Sequence, residues 1–202
     1  MTMHIRIDDL RGAAVQALLQ VHLYAVHELS PPGSVHALDL EELRHSSVTF
    51  LTAWDGDELM GCGALKQLNP DHAELKSMRT AEAHTRKGVA RTLLRHIELT
   101  AIAKGIQRIS LETGTPTAFV AAHKLYASEG YVETEPFADY VLDPFSMFMT
   151  KVLQPASEHA VTMNGDRSEK LKQVLAIRGK LHLRDESAIL RALDTNRHTE
   201  RG

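Results

Sequence analysis

A basic loop containing a single glycine holds the residue types best suited to chemistry. It spans residues 84–91, with the sequence HTRKGVAR, between a predicted strand and a predicted helix. Glycine permits a tight turn, and the free N–H groups and dipole of a helix N-terminus attract phosphate oxygens. Arg86, Lys87 and Arg91 add positive charge that can pair with further phosphate oxygens. The loop therefore suits a diphosphate group, although such cations are also typical of a solvated turn before a helix.

A tyrosine near the end of a later predicted helix is the second candidate for chemistry. Tyr126 is followed by Gly130 and Tyr131. A phenol with an ordinary pKa of about 10 is protonated at neutral pH and can donate its proton to a leaving group. Tyr126 also shares one helix face with Phe119 and Ala122. On this spacing alone, a core aromatic residue is the more common explanation.

Together the two motifs resemble those of the GNAT acyl-CoA N-acyltransferases. In that family, Gln/Arg-x-x-Gly-x-Gly/Ala after the fourth strand binds the pyrophosphate of coenzyme A, and residues 85–90 stand at those positions. The later pattern Ala-x-x-Leu-Tyr-x-x-x-Gly-aromatic matches residues 122–131. The resemblance covers about residues 1–153, and residues 30–38 and 72–80 are most similar to a bacterial branch of poorly assigned members. It implies an α/β (α+β) fold with a mixed, mostly antiparallel central sheet flanked by helices.

The resemblance also implies an acetyl-CoA-dependent N-acetyltransferase, with acetyl-CoA as co-substrate and an amine attacking its thioester directly. The pantetheine arm would lie along the fourth strand and bond to backbone groups near Met78 and Thr80, whose N–H groups could polarise the thioester carbonyl. Tyr126 would be the general acid that protonates the departing thiolate. The residues that the resemblance assigns to the coenzyme are Met78, Arg79, Thr80, Arg86, Lys87, Gly88, Val89, Ala90 and Arg91.

Glu74 is the predicted general base. It lies 11 residues before Thr85, a placement similar to that of the catalytic glutamate in the histone-acetyltransferase branch of the family. A carboxylate near a poorly hydrated cleft can have its pKa raised enough to accept a proton from an amine. Alternatively, Glu74 faces solvent or pairs with Lys76 or Arg79.

Two positions depart from the family pattern. Thr85 stands where Gln or Arg is usual, so this end of the loop is expected to hold phosphate less tightly. Phe119 stands where many members carry an Asn seven residues before the tyrosine, so a polar contact to the coenzyme near the thioester is expected to be missing or to come from another residue. These departures keep a second hypothesis open, namely a non-catalytic acyl-CoA-binding or regulatory module.

Other reactive residue types indicate no further chemistry. Cys62 is the one cysteine in the chain and lies between Gly61 and Gly63 on a strand predicted to be buried. A small core residue is the expected role, so we expect neither a disulfide nor a covalent acyl-cysteine step. The 12 histidines show no metal-ligand spacing, and no metal is predicted.

The predicted elements form an antiparallel meander followed by alternating strands and helices, which indicates a mixed sheet with helices on both faces. Asp8 or Asp9 is predicted to cap a first helix that ends near Glu28. The apolar stripe of that helix is predicted to be Leu10, Ala14, Leu18, Val21 and Ala25. Asp55-Gly56-Asp57 is typical of a hairpin turn between strands at 47–54 and 58–68. The helix after Gly88 is predicted to bury Val89, Leu93, Ile97 and Ala101.

Composition sets the limits of the functional classes. The chain has 202 residues, 43 % of them hydrophobic, and a net charge of −3, which is typical of one globular domain and does not suggest a nucleic-acid-binding protein. No stretch approaches the roughly 18–20 apolar residues of a membrane span, and the first residues lack the apolar segment of a signal peptide. We therefore expect a cytoplasmic protein, and the family resemblance implies that its acceptor is a small-molecule or peptide amine.

The charge is unevenly distributed along the chain. Residues 154–202 contain nine basic and seven acidic residues, a net charge of +2, so residues 1–153 carry −5. This change predicts a boundary near Leu153, with a linker and a helical tail over 154–202, and the resemblance assigns 1–153 to a GNAT domain. Helices predicted at 168–179 and 185–193 would pack on the main domain or across a homodimer, or dock a partner. The acidic main domain favours a cationic acceptor.

Overall fold

The structure is a computed structural model that describes residues 2–31, 33–153 and 166–181. These residues form seven strands and five α-helices. Short 3-10 helices precede the third and fourth α-helices, at Glu82–His84 and Thr117–Phe119. The elements in chain order are β1 Met3–Ile7, α1 Ala13–Leu29, α2 Leu40–Leu43, β2 Val48–Asp55, β3 Glu58–Gln67, β4 His72–Thr80, α3 Val89–Ala103, β5 Arg108–Gly114, α4 Val120–Ser128, β6 Val132–Glu133, β7 Ser146–Val152 and α5 Asp166–Lys180.

The strands form one mixed sheet in the order β1-β2-β3-β4-β5-β7-β6. Neighbouring strands are antiparallel except β4 and β5, which are parallel. Gly56 makes the predicted hairpin turn with a φ of 57°, a backbone conformation that glycine adopts without steric cost. The predicted fold class is confirmed by this topology.

The centre of the sheet opens between β4 and β5. Their pairing covers His72–Glu74 of β4, although β4 continues to Thr80. Ser77 has a φ of 51°, and the register of β3 against β4 shifts between Cys62 and Ala64, so a bulge bends β4 at this point. Because β4 and β5 are not paired in the register beyond Glu74, one edge of β4 borders a cleft.

Helices cover both faces of the sheet. Val89, Leu93, Ile97 and Ala101 of α3 are buried on one face, as their spacing predicts. Buried residues of α1 pack on the other face, against a different set of strand side chains. Neighbouring residues of one strand separate into these two cores, as Phe50 and Leu51 do, because successive side chains point to opposite faces.

The predicted cap of α1 is wrong. The helix begins at Ala13, its N-cap residue is Gly12, and that cap makes no side-chain hydrogen bond. Asp8 and Asp9 instead accept hydrogen bonds from the backbone N–H two residues ahead of each, at 2.9 and 3.0 Å. Such local turns compete with capping because an aspartate side chain reaches its own neighbouring backbone easily.

The predicted apolar stripe of α1 is correct at Leu10 and Leu18, which are buried, but wrong at Ala14 and Val21, which are exposed. The buried residues are Val15, Leu18 and Leu19, whereas Val21 is 52 % exposed. The predicted stripe starts at Leu10, which precedes the helix. Steps of three and four residues counted from Leu10 therefore do not stay on the helix face that packs on the core. The buried face continues through His22 and Val26, both of which line the cavities described below.

The described part of the tail is α5, which contains the helix predicted at 168–179. Val174 and Ile177 are buried against Ala103 at the end of α3. The helix predicted at 185–193 lies outside the described residues, and the domain division near residue 153 stays a prediction. In the described part of the chain no helix is long and apolar enough to cross a membrane.

Candidate active site

The cleft beside β4 widens into a groove of about 710 Å³ between α1, β4, the loop that leads into α3, and α4. The groove brings together residues that lie far apart in the sequence. Those among the predicted site residues are Met78, Arg79, Thr80, Arg86, Ala90 and Tyr126. The exposed edge of a bulged strand and the start of a helix therefore meet in one cavity.

The loop before α3 has the backbone geometry of an anion site. Gly88 is the N-cap residue with a φ of 82°, and Arg86 has a φ of 60°. Within the described residues, no side chain caps α3 at this end. The first amides of α3 are therefore available to a bound anion, and the helix dipole favours negative charge there.

The remaining residues predicted for the coenzyme lie outside the groove wall. Lys87 and Gly88 are exposed beside it, and Val89 is buried in the core. The Nε atom of Arg91 pairs with a carboxylate oxygen of Glu129 at 2.8 Å, and its Nη2 donates to Ser128 at 3.1 Å. Arg91 thus links α3 to the end of α4, and its role toward phosphate stays a prediction.

Tyr126 lies where the groove meets a second, smaller cavity of about 120 Å³. Its side chain is 7 % exposed, and its ring packs against Tyr131 with the ring centroids 5.8 Å apart. Burial, together with the Glu112 carboxylate, raises the pKa of the Tyr126 phenol above its usual range. The hydroxyl is therefore protonated at neutral pH, as proton donation requires.

The small cavity reaches the opposite side of Tyr126, toward the loop after α1. It shares His22, Val26, Met78, Phe119 and Ala122 with the groove. Its own polar lining consists of Ser30, Ser34, His36, Lys76, Ser77, Glu112 and Thr113. A group bound in this cavity would meet a group bound in the groove beside Tyr126, which is the arrangement that a two-substrate transfer needs.

Phe119 forms part of the wall between the two spaces. Its ring lies directly over Gly114 at the end of β5, where a Cβ added to the glycine would stand 2.5 Å from Cε2 of the ring. The sequence marks Phe119 as a departure from the family pattern but does not predict this contact. Gly114 is therefore required for the ring to take this position.

The substitution Gly114→Ala should displace Phe119 into the junction of the two cavities. Overpacking of this kind typically costs about 1–3 kcal/mol, so the free energy of unfolding should fall by that amount. Urea denaturation would measure it. The control is Gly179→Ala, because a Cβ at Gly179 meets nothing within 4 Å and the helix should gain up to about 1 kcal/mol. Equal stability changes in the two variants would contradict the predicted clash.

Glu74, the predicted base, is 2 % exposed and takes part in a buried network. Its Oε1 lies 3.0 Å from Nζ of Lys76 and accepts a hydrogen bond from the Tyr140 hydroxyl at 2.6 Å. Lys76 also donates to the Tyr140 hydroxyl and to the backbone carbonyl of His36, both at 2.7 Å. The alternative pairing with Lys76 is therefore present, and Lys76 rather than Glu74 borders the small cavity.

His22 is a site residue that sequence reasoning missed. It lines both cavities from α1, and burial, aided by the positive charges of Arg79 and Lys76, lowers the pKa of its imidazole to about 4. It is therefore neutral at physiological pH. The available signal was its position on the buried face of α1, four residues after Leu18 and three after Leu19.

The pKa of His22 predicts an acid-labile contribution to stability. The unfolded chain, with a pKa near 6.5, binds the proton more tightly than the folded chain, so stability should fall as pH drops from about 6.5 to 4. For this shift the loss at pH 4 is up to about 3 kcal/mol. Urea denaturation of wild type and His22→Gln at pH 7 and pH 4 would measure it. Identical pH dependence of the two proteins would contradict the prediction.

Glu112, also missed, stands on β5 and borders the small cavity. Its Oε1 accepts a hydrogen bond from the Ser146 hydroxyl at 2.8 Å. Burial raises the pKa of its carboxyl above the usual range, against the effects of the Ser146 hydroxyl, Lys76 and His36. A carboxylate with a raised pKa accepts protons more readily than an exposed one.

Cys62 is buried and donates a weak hydrogen bond to the backbone carbonyl of Ser77 at 3.5 Å. Burial raises the pKa of its thiol to about 12, so the reactive thiolate is scarce at neutral pH. Within residues 2–31, 33–153 and 166–181, no group of three or more His, Cys, Asp or Glu residues could hold a metal ion.

Comparison with known proteins matches residues 15–131 to the model of the acetyltransferase (GNAT) family. YsnE of Bacillus subtilis (strain 168), named an uncharacterized N-acetyltransferase, is 55 % identical over 151 residues, which cover 75 % of this chain and all of that protein. YedL of Escherichia coli (strain K12), with the same description, is 50 % identical over 149 residues, which cover 74 % of this chain and 94 % of that protein. A Klebsiella pneumoniae subsp. pneumoniae MGH 78578 protein, proposed to be an acyl-CoA N-acyltransferase, has a solved structure with a TM-score of 0.65 and 29 % identity, covering 76 % of this chain and 99 % of that one.

Proposed function

This chain belongs to the GNAT acetyltransferase family, and from that premise we propose that it transfers the acetyl group of acetyl-CoA to an amine within a ternary complex. The observation that carries the proposal is the meeting of two cavities at Tyr126. One is a groove that reaches the uncapped N-terminus of α3, and the other is a small cavity with a polar lining. Each suits one of the two substrates.

The residues that line the groove support its assignment to the coenzyme. The edge of β4 from Met78 to Thr80 can bond to the pantetheine arm as an added strand would. The amides at the start of α3 and the guanidinium of Arg86 suit the diphosphate. Bound acetyl-CoA supplies an activated thioester, and the relative from Klebsiella is itself proposed to use acyl-CoA.

The proposed roles of the side chains follow from their positions. Tyr126 holds a proton on its hydroxyl at the junction and donates it to the departing sulfur. His22 and Phe119 shape the junction and reduce its access to water. Glu74 lines neither cavity, although it contacts Lys76, which lines the small one. Its contacts support positioning Lys76 more directly than removing a proton.

The experiment that tests the proposed function has two stages. Calorimetry should show micromolar binding of acetyl-CoA and a rise in melting temperature. A coenzyme-release screen should then find turnover with at least one class among amino acids, polyamines, aminoglycosides and peptide amines. Failure to bind acetyl-CoA would refute the coenzyme site. Binding without turnover across the whole screen would favour the non-catalytic hypothesis.

A further inference from the structure

We propose that Glu112 is the acceptor-side carboxylate, which binds the ammonium group of a small cationic alkylamine and receives the proton that its nitrogen releases. The proposal rests on the acetyl transfer described above and names the class of its acceptor. It gives Glu112 a catalytic role that the sequence motifs do not indicate.

Glu112 and Tyr126 share one cavity. Glu112 lines the small cavity from β5, and Tyr126 lines it from α4. An amine held by Glu112 would therefore lie in the same small space as the group that is proposed to protonate the leaving sulfur. The cavity has a volume of about 120 Å³, which leaves room for the end of an alkylamine chain.

The carboxylate of Glu112 has free hydrogen-bonding capacity. Ser146 donates to Oε1 of Glu112 at 2.8 Å, and no described residue donates to Oε2. An ionised carboxylate offers about four acceptor sites, so Glu112 retains capacity for an ammonium group. A cation placed there would also offset the cost of burying the carboxylate.

Lys76 lines the same cavity, and its ammonium group is already fully paired. The three protons of the Lys76 ammonium have three partners, namely Glu74, the His36 carbonyl and the Tyr140 hydroxyl. His22 is uncharged at neutral pH because its pKa is about 4. Among the described residues that line the small cavity, Glu112 is the one carboxylate, so the added charge that it can pair with is positive.

The surroundings of Glu112 also suit proton acceptance. The titratable groups that act on it are Lys76, His36 and Glu74, and it acts in turn on the phenols of Tyr126 and Tyr140. Burial is the largest influence and raises its pKa. A base whose pKa lies closer to neutral is a more effective proton acceptor in the transition state.

The proposed step balances as follows. The ammonium gives one proton to Glu112, and the lone pair that is freed forms the C–N bond to the acetyl carbon. The C–S bond breaks, its electron pair stays on sulfur, and sulfur takes the proton of the Tyr126 hydroxyl. The second proton of the nitrogen restores that hydroxyl, and Glu112 releases its proton to solvent. The products are an N-alkylacetamide, free coenzyme thiol and one proton.

The test compares Glu112→Gln with Glu135→Gln, a control on an exposed loop residue outside both cavities. The acceptor probes are the alkylamines spermidine, lysine methyl ester and n-butylamine, with aniline as an amine that is neutral at pH 7.5. We expect Glu112→Gln to lower kcat/KM for the best alkylamine about 100-fold and to remove the acidic limb of its pH profile, with acetyl-CoA affinity unchanged. The control should behave as wild type.

The outcomes separate the two proposals. If the wild-type protein fails to bind acetyl-CoA, the proposed function is refuted, and the proposed role of Glu112 is refuted with it. If it binds acetyl-CoA and acetylates aniline in preference to every alkylamine, only the acceptor class is refuted, whereas binding without turnover of any amine refutes the proposed transfer as well. Retention of activity within about threefold in Glu112→Gln, or an unchanged acidic limb, would likewise refute the role of Glu112 alone.

Discussion

The substitution Tyr126→Phe should lower kcat by about 100-fold or more, with acetyl-CoA affinity changed by less than about threefold. Phenylalanine keeps the ring that packs in the core near Tyr131 and removes only the hydroxyl. Because that hydroxyl lies at the junction of the two cavities, its loss should affect the step in which sulfur departs. Binding in the groove depends on β4 and α3 and should be preserved. Steady-state kinetics and calorimetry on the same preparation would measure both quantities.

Tyr131→Phe is the matched control for this experiment. Tyr131 is 2 % exposed, its ring centroid lies 5.8 Å from that of Tyr126, and it lines neither of the two cavities. Its loss of a hydroxyl should leave kcat within about twofold of wild type. If Tyr126→Phe is as active as this control, Tyr126 is a core aromatic residue, which is the alternative that its helical spacing supports.

Much of the fold could be predicted because local patterns and tertiary structure agree in the central elements. The stripe of α3 from Val89 to Ala101 has one apolar face, so periodicity identifies its buried side directly. The hairpin at Gly56 follows from a turn that needs a positive φ. In α1, by contrast, apolar residues occur on more than one face, and Val21 is exposed where the predicted stripe would bury it. Local hydrophobicity alone does not determine the orientation of this helix.

The candidate site was predictable where its residues belong to one contiguous motif. The loop before α3 and the helix containing Tyr126 could each be identified from neighbouring residues in the sequence. His22, Phe119 and Glu112 come together from α1, the turn before α4, and β5. No spacing within the sequence links these elements, since sheet order and the opening of β4 from β5 bring them together. For Glu74 the sequence predicted a base, with pairing to Lys76 as an alternative that is present, but it did not predict the contact with Tyr140, which comes from a distant part of the chain.

Arg86→Ala should weaken acetyl-CoA binding about 10- to 100-fold, which corresponds to the loss of a hydrogen-bonded charge pair worth about 1.5–3 kcal/mol. Arg86 lines the groove, and its own backbone φ is 60°. Arginine and alanine bear a similar steric cost in this left-handed conformation, so the substitution should remove the guanidinium without altering the loop. Calorimetry at fixed salt would give the dissociation constant.

Lys87→Ala separates this direct contact from general electrostatic attraction. It removes an equal charge from the adjacent residue, which is exposed and does not line the groove. Its effect on the dissociation constant should stay below about threefold, since exposed charges are screened by water and salt. S-acetylpantetheine, which lacks the diphosphate, provides a second comparison, and Arg86→Ala should leave its KM unchanged. Equal losses in the two variants would mean that the loop acts only through its net charge, and that Arg86 does not bind the diphosphate.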